Sequence, residues 1–371
     1  MSDHAAWAFV DDQRQEADAF ADHLSKGDEA ILVKVISPLA ARDGVLGGKI
    51  KSDGILMDVD LSADPGERGT GLGIAQDIRA AQKVRALAEM PIVRFARHDQ
   101  VAARVGGDPT SDDLFDLLID KSEVYKDCGS VQRRLKGARC VYDRLSKVDF
   151  RDEKALEAFL GLDTEKLQLW SHPAFHARMA DGLQAAVHVA AGAFMRTLVQ
   201  IPGLLIDRAL LCFRLGLDPE QTGVGVRKIL ESCDSFKYKG IACQAFERWW
   251  ARGLDDWWLD LSEGSSPLAA LTISERVEAL RKRLGIRKLS ALAMPQGSAG
   301  NRPWRVCSLS LEEDPPRQVP VDPSIGIRFI PRVDLPPWAD PPYAALGPAL
   351  RARDDMRLDR SDLDRLRRAQ P

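Results

Sequence analysis

The stretch Asp53-Gly-Ile-Leu-Met-Asp58 decides the fold class of this 371-residue chain. It is a short apolar run that ends in a carboxylate, and Trp7-Ala-Phe-Val-Asp-Asp12 has the same form. Three further apolar runs lie at 30–36, 91–96 and 114–119, and segments of helical spacing lie at 13–24 and 74–87. Strands that alternate with helices in this way predict a parallel sheet with both faces covered.

Charged residues end three of these runs, and the carboxyl ends of parallel strands lie at one edge of a sheet. The residues are Asp11, Asp12, Asp58 and Lys121. Three carboxylates in a small volume need a cation, and oxygen ligands suit Mg²⁺. A lysine beside them can neutralise an anion, so one carboxylate could accept a phosphoryl group. Acidic residues also follow strands in ordinary loops. The prediction of a binding site therefore holds only if all four side chains lie close together.

Residues 7–125 resemble the receiver domain of two-component response regulators. The resemblance is carried by Trp7–Gln13, Asp53–Leu61, Pro91–Ala96 and Asp116–Lys121. It implies a flavodoxin-like, doubly wound, parallel five-stranded sheet. It also implies that Asp58 is the phospho-acceptor and Lys121 the phosphate-binding lysine. The ligands of Mg²⁺ would be Asp11, Asp12, Asp58 and the backbone carbonyl of Asp60. Any catalysis would be limited to self-phosphorylation and dephosphorylation.

The sequence departs from the receiver pattern where a receiver transmits its signal. The hydroxyl residue expected at the end of the fourth strand is Ala96, and the aromatic residue expected three positions before the lysine is Leu118. Ser122 replaces the usual proline, and residues 63–71 lengthen the loop after Asp58. A switch needs a contact that differs between its two states, and Ala96 has no hydroxyl to make it. Either this is a phospho-acceptor that signals by another route, or it is a pseudo-receiver that serves as a docking scaffold.

The rest of the chain predicts two further domains after a receiver-like domain at 1–125. Residues 126–294 have helical spacing almost throughout, including a long alanine-rich helix over 174–199, and predict a mainly α-helical output domain. Residues 295–371 predict a proline-rich extended segment with a charged tail, because twelve of the 21 prolines lie between Pro295 and Pro348.

Two segments of the helical region suggest alternative functions for the chain. A helix over 241–261 would hold two tryptophan pairs, Trp249, Trp250, Trp257 and Trp258. These suit a packed core, although tryptophan is also common in protein interfaces. Residues 272–292 read as a basic helix, a turn at Gly285 and a second helix, a pattern that would suit a DNA-binding transcription regulator.

The composition of the chain argues against several other functional classes. The net charge of −3 gives no overall basic character for nucleic acid, and the six cysteines show no metal spacing. Neither a membrane span nor a secretory signal is visible, so we expect a cytoplasmic signalling protein. The resemblance implies a histidine kinase, a phosphotransfer protein or a co-encoded effector as partner. Diverged receivers joined to unfamiliar domains also resemble components of bacterial conflict systems.

Overall fold

The chain forms two compact units in a computed structural model. The structure describes residues 6–45, 47, 51–61, 70–97, 113–295, 300–313, 316–331, 334–352 and 354–369. The first unit comprises Met1–Leu167, Pro173–Gln200 and Lys239–Phe246, and the second comprises Gln168–His172, Ile201–Tyr238 and Glu247–Pro371. Long-range contacts assign segments from the middle of the chain to each unit.

The first unit is built on a parallel sheet of five strands. They are β1 (Ala6–Val10), β2 (Leu32–Ile36), β3 (Gly54–Met57), β4 (Ile92–Ala96) and β5 (Leu117–Asp120). The strand order is β2-β1-β3-β4-β5, and every neighbouring pair is parallel. This is the flavodoxin-like, doubly wound order, so the predicted fold class is confirmed.

Alternating side chains of β1 supply both faces of the sheet. Ala8 and Val10 belong to an apolar cluster that includes Ile74 and Ile78 of the helix at 71–83. Phe9 lies on the opposite face, where its ring centroid is 5.1 Å from that of Phe95 on β4. The helices of the unit therefore have an apolar surface to cover on each side.

In the first half of the chain, helices first alternate with these strands and then, after β5, follow one another directly. They are α1 (Arg14–Leu24), α2 (Pro38–Ala40), α3 (Gly71–Lys83), α4 (Lys121–Lys126), α5 (Cys128–Leu145), α6 (Glu153–Leu160), α7 (Thr164–Trp170), α8 (Pro173–Ala185) and α9 (Val187–Phe194). Two π-helical segments follow α2 and α9, at Ala41–Val45 and Met195–Gln200.

Helix α5 completes the cover of the sheet, past the predicted limit at 125. The side-chain amide of Gln132 on α5 donates hydrogen bonds to the carbonyls of Leu24 and Lys26 at the end of α1. At the other end of α5, the hydroxyl of Tyr142 donates to Asp116, which directly precedes β5. The layer that covers this face of the sheet therefore extends to Leu145.

The single long helix predicted over 174–199 is wrong, because the chain is extended at Ala186 (φ −172°, ψ 155°). Helices α8 and α9 pack closely on either side of this break. A Cβ at Gly182 would lie 3.0 Å from the Cα of Ala190. Small residues at the contact allow this approach, and helical spacing alone does not reveal the break.

The second unit contains the other α-helices and strands that the structure describes. Its helices are α10 (Arg208–Leu215), α11 (Val224–Ser232), α12 (Ala251–Leu261), α13 (Ile273–Leu284), α14 (Ser308–Leu311), α15 (Leu346–Arg351) and α16 (Arg360–Ala369). Its strands are β6 (Leu205–Ile206), β7 (Trp249–Trp250), β8 (Arg305–Val306), β9 (Pro320–Val321), β10 (Ile327–Arg328) and β11 (Tyr343–Ala344). All three strand pairs, β6 with β7, β8 with β9 and β10 with β11, are antiparallel.

Three sequence predictions for this unit need correction. The helix predicted over 241–261 begins only at Ala251, because Trp249 and Trp250 pair with Leu205 and Ile206 as a strand. The helix predicted after Gly285 is absent, since residues 286–292 are not helical. The described part of 295–371 is not simply extended either, because its short strands and helices enclose an apolar cluster that includes Cys307, Ile327 and Ala344.

Candidate functional site

The register of the sheet brings two carboxylates side by side. Val10 on β1 pairs with Met57 on β3, so Asp11 and Asp58 come next on adjacent strands. Both residues are buried, with 2% of their surface exposed. Asp12 follows Asp11 and is half-buried. The structure thus brings Asp11 and Asp58 together at the carboxyl edge, as the sequence predicts.

Each buried carboxylate is held by the backbone that follows it. The amide of Gln13 donates to Oδ1 of Asp11 at 2.7 Å, and the amide of Asp60 donates to Oδ1 of Asp58 at 3.0 Å. Such local bonds from the residue two positions on are the usual way in which aspartate orders a turn. They leave the Oδ2 atoms of both carboxylates to face a third group.

The third group is Lys121, whose amine lies between the two acids. Its Nζ donates to Oδ2 of Asp11 at 2.9 Å and to Oδ2 of Asp58 at 2.5 Å. The lysine side chain is 5% exposed, and its Nζ lies 5.7 Å and 5.8 Å from the ring centroids of Phe9 and Phe20. Those rings give the buried cation a favourable cation–π environment.

The start of helix α4 fixes the backbone of Lys121. Asp120 caps this helix through its side chain, which accepts from the amide of Ser122 at 2.7 Å. In return, the amide of Asp120 donates to Glu123 at 3.0 Å. Asp120-Lys-Ser-Glu123 therefore forms a capping box, a signal that was available in the sequence. The amine of Lys121 reaches back from this fixed position to the ends of β1 and β3.

Burial changes the protonation of the site. It raises the pKa of Asp11 to about 6, and repulsion from Asp58 adds to the rise while the amine of Lys121 opposes it. For Lys121, burial alone would lower the pKa, but the carboxylates of Asp58 and Asp11 outweigh it and raise the pKa above the ordinary value. The amine therefore stays charged at neutral pH and acts as counter-ion to both acids.

The donor set fits Mg²⁺ in its chemistry, because Asp11, Asp12 and Asp58 offer carboxylate oxygens of the kind that Mg²⁺ binds. The backbone of Asp60 lies beside them through its bond to Asp58. In the part of the chain that the structure describes, however, no group of three or more His, Cys, Asp or Glu side chains has the geometry of a metal centre. A cation here would have to share Asp11 and Asp58 with Lys121.

Helix α3 begins directly against the residues that follow β3. A Cβ at Gly71 would overlap the carbonyl oxygen of Asp58, so only glycine allows this approach. Thr70 caps the helix by accepting from the amide of Gly73 at 3.1 Å. The long loop predicted at 63–71 lies mostly outside the described residues, which resume at Thr70.

The two altered switch positions lie in different environments. Ala96, the last residue of β4, is 1% exposed and pairs with Asp120 on β5. Leu118 is 45% exposed, and its side chain lies at the surface rather than in the core. Neither residue carries a hydroxyl or an aromatic ring that could contact a group on Asp58.

A second buried polar cluster lies at the amino-terminal edge of the same sheet, and sequence reasoning missed it. The guanidinium of Arg79 donates to Oδ2 of Asp116 at 2.7 Å and to the hydroxyl of Tyr142 at 3.0 Å. That oxygen of Asp116 also accepts from the amide of Ile92 at 2.9 Å. The partners in these bonds are 24 to 63 residues apart in sequence, which leaves no local motif to find.

The four tryptophans, for which the sequence favoured a packed core and left a protein interface as the alternative, are mostly buried. Trp249, Trp250 and Trp258 are each 1% exposed and belong to the core of the second unit. Trp257 is half-buried. The predicted helix-turn-helix pattern is not formed, because residues 286–292 after α13 are not helical.

No family model matches the sequence, and no curated protein is similar to it. Among solved structures, the chain is similar to the phosphorylated cyanobacterial phytochrome response regulator RcpA, at 15% identity over 36% of this chain and 94% of that chain, with a TM-score of 0.28. It is also similar to the bacteriophytochrome response regulator RtBRR, at 17% identity over 34% of this chain and 78% of that chain, with a TM-score of 0.25.

These likenesses cover about a third of the chain. The fold assignment itself rests on the strand order and register described above. Among the helices that the structure describes, none combines the length and the apolar character needed to cross a membrane.

Proposed function

We propose that this chain is a regulatory signalling protein whose first unit accepts a phosphoryl group on Asp58 in the presence of Mg²⁺. The observation that carries the proposal is the position of the Lys121 amine, which bonds to the buried carboxylates of both Asp11 and Asp58. An amine held between two acids at a strand edge is suited to stabilise an anion that joins one of them.

The transfer would use one carboxylate oxygen of Asp58 as the nucleophile. That oxygen attacks the phosphorus of the donor, the bond from phosphorus to the leaving group breaks, and an acyl phosphate forms on Asp58. Bound Mg²⁺, held by Asp11, Asp12, Asp58 and the carbonyl of Asp60, would offset charge on the transferring oxygens.

Lys121 would then exchange its bond to Asp58 for one to a phosphoryl oxygen. The start of helix α3 beside Asp58 favours negative charge nearby, through its free amides and its dipole. The phosphoryl donor in the cell would be a histidine kinase or a phosphotransfer protein, and a co-encoded effector would respond to the product.

The test is labelling of the full-length chain with radioactive acetyl phosphate and Mg²⁺. We expect a stoichiometric, alkali-labile label on the wild type that Asp58→Asn abolishes and EDTA prevents. Asp53→Asn is the matched control, because Asp53 lies just before the other end of the same strand, and it should keep the label. An unlabelled wild type, or a label that survives Asp58→Asn, contradicts the proposal.

A second function, a pseudo-receiver scaffold, is favoured by Ala96 and Leu118. With no hydroxyl at position 96 and an exposed leucine at 118, the unit would dock a partner regardless of phosphorylation. Under this alternative, Asp58→Asn leaves partner binding unchanged and the wild type takes up no label. A change in partner affinity on labelling of the wild type excludes it.

A further inference from the structure

Two cysteines of the first unit come together although they are more than 100 residues apart in sequence. Cys140 lies on helix α5, and Cys243 lies in the segment 239–246, which belongs to the same unit. This segment packs against α5, because a Cβ at Gly137 would lie 3.5 Å from the Cβ of Ala242. Since Cys140 comes three residues after Gly137, it lies on the side of the helix that makes this contact.

The sulfur of Cys140 lies beside the residue that directly precedes Cys243. It accepts a hydrogen bond from the backbone amide of Ala242. Burial raises the pKa of the Cys140 thiol above its ordinary value, and the thiol of Cys243 adds to the rise, while the hydrogen bond from Ala242 opposes it. The two thiols are therefore close enough for each to affect the charge of the other.

The turn that contains Cys243 is held in a conformation that alanine rarely adopts. The φ of Ala242 is 58°, in the left-handed region that favours glycine. Other contacts fix the turn, because the amide of Ile241 donates to the carbonyl of Phe159 at 2.8 Å and the amide of Phe246 donates to the carbonyl of Ala242 at 3.1 Å. Unfavourable backbone conformations that the surrounding structure maintains are concentrated at functional sites.

Access to solvent distinguishes this pair from another pair of cysteines. Cys140 and Cys243 are both half-buried, so a small oxidant can reach them. Cys212 and Cys233 in the second unit also lie near each other, but both are fully buried. Burial raises the pKa of Cys212 to about 11 and that of Cys233 to about 12. Since the thiolate is the reactive form, we expect Cys212 and Cys233 to stay reduced.

From these observations we propose that Cys140 and Cys243 form a reversible disulfide when the protein meets a small disulfide such as oxidised glutathione. The thiolate of Cys243 attacks one sulfur of oxidised glutathione, breaks its S–S bond and releases one glutathione thiolate. The thiolate of Cys140 then attacks the sulfur of Cys243, forms the internal disulfide and expels the second glutathione. The protein loses two electrons and two protons, and one oxidised glutathione is reduced to two glutathione molecules.

The order of the two attacks follows from burial, which keeps the thiol of Cys140 protonated at neutral pH. Its attack becomes effective once Cys243 holds the leaving group beside it, because an intramolecular step avoids a second encounter in solution. The product would fasten the segment 239–246 covalently to α5. Such a response to oxidation would be independent of phosphoryl transfer to Asp58.

The first experiment maps the disulfide in the wild-type full-length chain. The protein is incubated with oxidised glutathione at pH 8, its remaining thiols are alkylated in denaturant, and it is digested with trypsin without reductant. Trypsin releases Cys140–Arg144 and Gly240–Arg248, each of which contains one cysteine. We expect mass spectrometry to find the two peptides joined, and dithiothreitol to separate them. If both peptides are alkylated or carry glutathione instead, or if Cys212 and Cys233 are joined, the proposal is overturned. The experiment also tests whether the pair reaches the Cα separation of less than about 7 Å that a disulfide requires.

The second experiment separates the two steps with variants. Cys140→Ser should accumulate glutathione on Cys243, because the thiol that expels it is missing, whereas the wild type should accumulate little of this mixed disulfide. The control is Cys128→Ser, because Cys128 is also half-buried but its sulfur donates to the carbonyl of His23 at 3.4 Å. This control should keep the full yield of joined peptides. A yield that Cys128→Ser abolishes contradicts the assignment of the pair. Glutathione that adds to Cys140 in Cys243→Ser as fast as to Cys243 in Cys140→Ser contradicts the order of attack.

Discussion

Replacing Lys121 by methionine tests the electrostatics of the acid site directly. Methionine keeps much of the length of the side chain but removes the charge that Asp11 and Asp58 both face. The amine makes two bonds to carboxylates, and its side chain is 5% exposed. Removing one partner of a buried ion pair typically destabilises a protein by about 3–5 kcal/mol. We expect a loss of unfolding free energy in that range at pH 8.

The loss should shrink at pH 5, and the reason is the raised pKa of Asp11. A carboxyl with a folded pKa of about 6, above its ordinary 3.8, adds stability below pH 4 that is lost as the pH rises through 6. At pH 5 most of the folded protein therefore already carries a neutral Asp11. Only Asp58 then loses a charged partner, so the expected loss falls to roughly 2 kcal/mol.

The assay is urea unfolding of the full-length chain at pH 5 and pH 8, followed by circular dichroism. Lys126→Met is the control, because Lys126 is exposed on the same helix, and it should change stability by less than about 0.5 kcal/mol. An equal loss at both pH values refutes the role given to Asp11. A loss as small as that of the control refutes the buried ion-pair geometry.

Three further predictions concern the packing around the sites. Tyr142→Phe removes a hydroxyl from the buried cluster and should lower stability by about 1–3 kcal/mol, seen as a lower urea midpoint; an unchanged midpoint would mean that the hydroxyl is not buried there. Gly54→Ala places a Cβ against the ring of Trp7 and should lower stability by about 1–3 kcal/mol. An unchanged melting temperature would contradict that contact. Trp258→Ala should destabilise the protein by about 3–5 kcal/mol, and Trp257→Ala by clearly less, because Trp257 is only half-buried. Equal losses of melting temperature for the two variants would contradict this difference in burial.

The sheet and the acid site were predictable because both depend on short-range patterns. Apolar runs that end in charged residues identify β1 and β3, and they place Asp11 and Asp58 at the same edge. Lys121 follows from the same rule applied to β5. What the sequence did not contain was the hydrogen-bonding pattern of the site, since the bonds from Gln13 and Asp60 depend on local turns. The rings of Phe9 and Phe20 near Lys121 likewise follow from tertiary packing.

The second half of the chain was predicted less well, and for a physical reason. Helical spacing does not distinguish a continuous helix from two that pack across a break, as at Ala186. Trp249 and Trp250 become a strand because Leu205 and Ile206, more than 40 residues away, supply the partner. Arg305 and Asp340 form an ion pair only because the proline-rich region folds into short strands and helices around its own core.

The bonds between Tyr142, Asp116 and Arg79 have a practical consequence for dividing the gene. An expression fragment that stops at residue 125 would omit helix α5 and leave a charged guanidinium and its carboxylate facing water where the helix belongs. It would also uncover the apolar side chains that α5 shields, which invites aggregation in the test tube. Fragments made to test the proposed phosphorylation of Asp58 should therefore extend at least through Leu145.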